Sequence, residues 1–171
     1  MPDILLLLAA LAAAQVPQAE ESTLDPSTPA ETAAAVLDCW RAIGPVSVDR
    51  TVLAAAGWNA VPVPKGGGPL TGFTKSGTNA MVLLADAEVA QNLCTVVSRV
   101  SAAGQEVTVL RQVRQALLGV APGIKTLRDG ESIVLESEPR AAIVDRWTFG
   151  KGANQKPGTR IIVAYKIAEK K

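Results

Sequence analysis

Carboxylate pairs are the side chains in this sequence that could perform acid–base catalysis, because the chain of 171 residues contains no histidine. The lack of histidine excludes a Ser-His-Asp triad, a Cys-His dyad and histidine-ligated zinc or haem. Glu136 and Glu138 are two residues apart at the end of a predicted strand, and such a spacing on a strand places both side chains on one face, as the two carboxylates of a glycoside hydrolase require. Glu138 precedes Pro139, however, which is typical of a turn. We therefore predict no catalytic residue and keep a small carboxylate-dependent hydrolase, acting on envelope polymers, as the alternative.

The two cysteines of the chain are predicted to form a disulfide between Cys39 and Cys94. An even number of cysteines in an exported protein favours a bridge. A redox or catalytic thiol is less well supported, because the sequence has neither a CxxC motif nor a histidine base. Cys39 falls late in the first predicted helix and Cys94 in an apolar strand, so the bridge would fasten a helix to the sheet. Two separate buried thiols are the alternative.

No cofactor or metal site is predicted from the sequence. The glycine run Gly66-Gly67-Gly68 follows Lys65, and no helical pattern comes after it. A phosphate-binding P-loop needs its lysine after the glycines, at the start of a helix. We therefore interpret the run as part of a flexible loop.

The first 14 residues are predicted to be an export signal. Residues 4–14 form an apolar run of eleven residues, which has the length of a signal-peptide hydrophobic region. The run is too short for a transmembrane helix, which needs about 20 residues. Ala12 and Ala14 have the small-residue spacing of a cleavage site, although no lysine or arginine precedes the run. We expect a periplasmic or secreted mature protein without a transmembrane segment, which begins with a flexible tail over residues 15–27; a buried N-terminal helix is the alternative.

Three helices are predicted from hydrophobic periodicity and end signals. The first starts at Pro29, with Thr28 and Glu31 as a capping box. The other two cover residues 49–56 and 105–119. The apolar stripe of the third helix consists of Val107, Leu110, Val113, Leu117 and Leu118.

Apolar and alternating runs predict five strands and a short sixth one. The five cover residues 79–85, 92–100, 131–137, 141–149 and 160–168, and the short one covers 72–76. Residues 59–72 are rich in proline and glycine, which indicates a loop or an edge segment.

The order of these elements predicts the fold class. No regular strand–helix–strand alternation is present, so we predict an α+β fold with one antiparallel sheet of five or six strands and about three helices packed on one face. Each half consists of helix followed by three strands, which hints at a duplicated αβββ unit. The whole fold is expected to be a single domain over residues 28–171.

The charge pattern suggests a surface for a partner. The net charge of +1 predicts no nucleic-acid partner, but residues 151–171 contain six bases and one acid. Of the tryptophans, Trp40 and Trp58 fit the core, whereas Trp147 lies on a strand face of mixed character. The residues predicted to contact an anionic envelope component or a protein are Trp147, Lys151, Lys156, Arg160 and Lys166. The alternative is an edge strand whose lysines discourage pairing between sheets.

Taken together, these patterns favour a non-catalytic binding or accessory module of the cell envelope. The prediction depends on the missing combinations: no histidine, no metal-ligand motif, no nucleotide loop and no nucleophile beside a base. An inhibitor of a periplasmic enzyme is a special case of this function.

Overall fold

The computed structural model describes four segments of the chain, residues 24–62, 70–85, 92–150 and 152–166. The predicted export signal, the glycine run and Lys151 lie outside the described residues.

The first two helices begin at end signals that the sequence contains. Helix α1 (Pro29–Ala42) starts with the predicted capping box: Thr28 Oγ1 accepts a hydrogen bond from the Glu31 N–H at 3.2 Å, and Glu31 Oε2 accepts one from the Thr28 N–H at 2.8 Å. Helix α2 (Arg50–Ala55) is short, and helix α3 (Glu106–Leu118) is the last of the three in the described part.

The N-cap of α2 is Asp49. Its carboxylate accepts hydrogen bonds from the side chain of Thr51 at 2.6 Å and from the Thr51 N–H at 2.9 Å. These bonds favour the ionised carboxylate, so the pKa of Asp49 is lowered from its ordinary value of 3.8.

One antiparallel sheet of eight strands holds the described chain together. The strands are β1 (Trp58–Val61), β2 (Leu70–Lys75), β3 (Met81–Ala85), β4 (Leu93–Arg99), β5 (Lys125–Asp129), β6 (Ser132–Ser137), β7 (Arg140–Phe149) and β8 (Lys156–Tyr165). Their order across the sheet is β1-β2-β3-β4-β8-β7-β6-β5. The α+β class and the antiparallel sheet are therefore confirmed.

The predicted number of five or six strands is wrong, since β1 and β5 were not identified as strands. Most of β1 lies in the segment 59–72, for which the sequence predicts a loop or an edge segment, and β1 does lie at an edge of the sheet. β5 has the polar sequence KTLRD, and its five residues are all exposed, so no apolar alternation marks it. In addition, β8 begins at Lys156 instead of residue 160, because Pro157 and Gly158 conceal the start of the strand.

Each half of the sheet follows helices in the chain, two in the first half and one in the second. β1–β4 follow α1 and α2, β5–β8 follow α3, and each set of four strands forms a meander. Each half has four strands, whereas the predicted αβββ unit has three, and a duplication of the two halves stays a prediction. The halves meet where β4 pairs with β8, with Cys94 opposite Val163.

Helices α1 and α3 pack on one face of the sheet. The largest cluster of buried residues joins side chains of these helices, such as Val36 and Leu117, to side chains of the central strands, such as Val96 and Ile161. Trp40 and Trp58 belong to this cluster, as predicted. Two smaller clusters on the second face contain no residue of the three helices. Among the described residues, no helix is both long and apolar enough to cross a membrane.

Candidate functional site

The predicted disulfide between Cys39 and Cys94 is confirmed. It joins the last turns of α1 to β4, with the two Cα atoms 5.8 Å apart. Both cysteines are fully buried, so the bridge fastens the helix to the centre of the sheet and presents no reactive sulfur to solvent.

Trp147 and Arg160 of the predicted partner surface are in contact with each other. They lie on β7 and β8, and the Arg160 guanidinium is 4.6 Å from the centroid of the Trp147 ring. Arg160 Nη2 also donates to Asp145 Oδ2 at 2.9 Å, and Asp145 Oδ1 accepts from Ser132 Oγ at 2.5 Å. The cation of Arg160 is therefore already bound by a carboxylate and an aromatic ring.

The predicted lysines have different surroundings. Lys166 forms an ion pair with Glu136, whereas Lys156 is exposed at the start of β8. Two of the three described cations on this surface are thus paired with carboxylates, and the surface is less positive than the sequence predicts. Its role in binding a partner stays a prediction.

Glu136 and Glu138, the carboxylates considered for hydrolysis, have different surroundings. Glu136 lies at the end of β6 and is bound to Lys166, while Glu138 is an exposed residue of the turn that follows. Asp145 is held by Ser132 and Arg160. Glu136 and Glu138 do not line the groove described below, whereas Asp145 lines it together with Glu106 and Glu131. In the described part of the chain no group of three or more His, Cys, Asp or Glu side chains could hold a metal ion.

A groove lies between α3 and the strands β5, β6 and β7. Its volume is about 390 Å³, and its apolar lining consists of Ile133 and Val144 from the sheet and Val107 and Leu110 from the helix. The groove exists because α3 has α1 as its main neighbour instead of lying closely on the second half of the sheet. Arg114 Nε of α3 donates to Thr126 Oγ1 of β5 at 3.2 Å and connects the helix to the edge strand.

Five charged residues line the groove beside its apolar surface: Glu106, Arg128, Glu131, Asp145 and Arg146. Asp145 is paired with Arg160, whereas the other four take part in no ion pair within the described residues. Two cations and two anions without an ion-pair partner thus stand beside an apolar surface. Such an arrangement is suited to a ligand that has an apolar body and charges of both signs.

Sequence reasoning did not find this groove. Val107 was assigned to the buried stripe of the third helix, but its side chain is 54% exposed; the buried stripe is Val109, Val113 and Leu117. The exposure of Val107 could have been predicted from the four-residue spacing of Val109, Val113 and Leu117, which places Val107 beside the buried stripe. The strand β5, which forms the other wall, has no apolar pattern.

Comparison of the chain with models of protein families, with curated proteins and with solved structures gives no match.

Proposed function

We propose that the protein is a non-catalytic binding module of the cell envelope, and that it holds a short peptide segment of a protein partner in the groove between α3 and β5–β7. The observation that carries the proposal is the combination of an apolar lining with four charged side chains that have no ion-pair partner in the described residues. The volume of about 390 Å³ is within the range of ligand sites, roughly 300–1,000 Å³.

The charges of the groove favour a peptide over a polyanion. Arg128 and Arg146 attract carboxylates, but Glu106 and Glu131 line the same groove and repel a uniformly anionic chain. A peptide that presents an apolar side chain between an acidic and a basic one complements all four groups. An anionic polymer is more compatible with the surface around Lys156, which is a separate site.

The disulfide supports the part of the proposal that concerns location. A buried bridge between Cys39 and Cys94 is typical of a protein that folds in an oxidising compartment. We propose a periplasmic or secreted protein from which residues 1–14 are removed. The intact mass of the exported protein tests this, and a species that retains residues 1–14 in the cytoplasm would contradict it.

Peptide selection tests the groove directly. A random heptapeptide library is selected against the oxidised protein, and the affinities of enriched peptides are measured by fluorescence polarisation. We expect the peptides to contain an apolar residue between an acidic and a basic one. Because exposed ion pairs contribute little, Arg146→Ala and Glu131→Ala should each weaken binding about threefold.

The matched controls are Lys156→Ala and Glu138→Ala, which remove one exposed charge of each sign outside the groove. They should leave the affinity unchanged. Peptides that bind all four variants equally, or that share no charged residue, would overturn the assignment of the groove.

The predicted C-terminal surface is tested separately. Capture from an envelope extract at low and high salt compares the wild type with the Lys151→Glu, Lys156→Glu, Arg160→Glu variant. Identical, salt-insensitive partners for both proteins would show that this surface does not bind an anionic component.

A further inference from the structure

Strand β5 is a free edge of the sheet. It pairs with β6 on one side, and no other strand of the described chain pairs with its second side. All five of its residues are exposed, and its central residue, Leu127, is 40% exposed. Proteins commonly protect an edge strand by keeping it short or by placing a proline, a bulge or charged side chains on it. β5 is short and has the charged residues Lys125, Arg128 and Asp129, but it has no proline, its register with β6 is unbroken, and its centre is a leucine.

The turn that follows β5 determines which backbone groups face the free side. Asp129 pairs with Ser132 across the two-residue loop of Gly130 and Glu131, and Gly130 has the positive φ of 59° that the first position of a type II′ turn requires. The hydrogen bond of such a turn closes the Asp129–Ser132 pair. Because hydrogen-bonded and non-hydrogen-bonded pairs alternate, Thr126 and Arg128 direct their backbone N–H and C=O groups away from β6.

The sequence of β5 is complementary to itself when it is reversed. If two copies pair antiparallel with Leu127 opposite Leu127, Lys125 of each copy lies opposite Asp129 of the other. Thr126 of each copy then exchanges backbone hydrogen bonds with Arg128 of the other. Lys125, Leu127 and Asp129 share one face of the strand, so two ion pairs flank one apolar contact.

We propose that a second copy of this chain pairs with β5 about a two-fold axis at Leu127, so that two eight-stranded sheets become one continuous sheet. Other antiparallel registers fit less well. A shift by two residues in one direction places Arg128 of one copy opposite Arg128 of the other. A shift by two residues in the opposite direction places Lys125 opposite Leu127 and leaves Asp129 without an opposite residue in β5 of the second copy. The charges of the strand therefore select both the partner and the register.

The dimer should be weak and reversible. A pairing of five residues on each side buries less than the roughly 1,200 Å² of stable protein complexes. This proposal does not depend on the peptide groove, because Lys125, Leu127 and Asp129 do not line it.

Sedimentation equilibrium of the oxidised protein, from about 10 µM to about 1 mM, tests the dimer through a charge exchange. Lys125→Asp alone and Asp129→Lys alone each place like charges opposite each other and should weaken the dimer about tenfold. The double variant restores opposite charges in the same register and should recover the affinity of the wild type. Lys156→Asp is the matched control, since it makes the same change at an exposed lysine outside β5.

The result that supports the proposal is a concentration-dependent dimer that the single variants weaken and the double variant restores. A protein that stays monomeric up to 1 mM, or a dimer that the single variants leave unchanged, would overturn it. A dimer that the double variant fails to restore would overturn the register. Circular dichroism and tryptophan fluorescence establish that each variant is folded.

A cysteine crosslink provides a second measurement. The Cα atoms of a non-hydrogen-bonded pair are about 4.5 Å apart, within the range for a disulfide. Leu127→Cys should therefore form a covalent dimer on a non-reducing gel, and Lys156→Cys should not. Equal crosslinking of both variants would contradict the predicted axis.

Discussion

Reduction of the disulfide between Cys39 and Cys94 should strongly destabilise the protein. The bridge closes a loop with a sequence separation of 55 residues. In the chain-entropy model such a loop is worth about 4 kcal/mol at 25 °C, because the bridge restricts the unfolded chain. A folded domain is stable by roughly 5–15 kcal/mol, so the bridge supplies a large part of the total. For a chain of this size we expect the melting temperature to fall by about 10 °C.

Urea unfolding followed by tryptophan fluorescence measures this effect in the oxidised and the reduced wild type. The comparison uses one sequence, so the buried packing around both sulfur atoms is nearly the same in the two folded states. The reduced protein should also have a larger dependence of the unfolding free energy on urea, since its unfolded state exposes more surface. The Cys39→Ala, Cys94→Ala variant is the control and should not respond to reductant. If oxidised and reduced wild type unfold at the same urea concentration, the entropic reasoning is wrong.

Two further predictions concern carboxylates of the first half. Asp38 Oδ2 accepts hydrogen bonds from Trp58 Nε1 at 3.0 Å and from Lys75 Nζ at 3.2 Å. Asp38→Ala removes both bonds and should lower the unfolding free energy by about 3 kcal/mol. Asp38→Asn keeps an acceptor for the indole and should lower it by about 1 kcal/mol. Equal losses in urea unfolding would show that the indole bond is unimportant. The pKa of Asp49 is lower in the folded protein than in the unfolded chain, so the ionised carboxylate stabilises the fold at neutral pH. This contribution is lost as the pH falls below 3.8 and through the folded pKa, because Asp49 of the unfolded chain binds a proton at a higher pH than Asp49 of the folded protein. The Asp49 carboxyl should titrate below 3.8 by NMR, and Thr51→Val, which removes the hydroxyl donor, should raise its pKa; an unchanged titration would contradict the assigned cause.

The parts of the fold that the sequence predicted are those with a strong local signal. The capping box of Thr28 and Glu31 marked the start of α1 to the residue, and Asp49 marked α2 in the same way. Six of the strands have an apolar face or an apolar run and were located to within a few residues, except for the start of β8. β5 has neither signal, because an edge strand with both faces exposed has no buried side chains to impose a pattern.

The candidate site was harder to predict than the fold, for a physical reason. A groove forms where side chains of neighbouring elements do not pack against each other. A hydrophobic pattern in the sequence indicates which side chains are buried, and it does not indicate where such a gap between elements lies. Val107 has the residue type and spacing of a core residue, but it is exposed and lines the groove between α3 and the strands. The charges of Arg160 and Lys166 were visible in the sequence, but their partners Asp145 and Glu136 come from β7 and β6, whose register with β8 the sequence does not specify.

The two halves of the sheet are both four-stranded meanders but differ in how their helices are held, and this difference places both proposed binding surfaces in the second half. α1 is fastened to β4 by the disulfide and packs on β3, β4 and β8. α3 rests mainly on α1, and its hydrogen bond to the edge strand is the one from Arg114 to Thr126 among the described residues. A helix with few contacts to its own strands leaves both a groove beneath it and an edge strand without cover. In these proposals the first half, whose helix is fastened by the disulfide, supports the molecule, and the second half presents the surfaces proposed for a peptide and for a second copy of the chain.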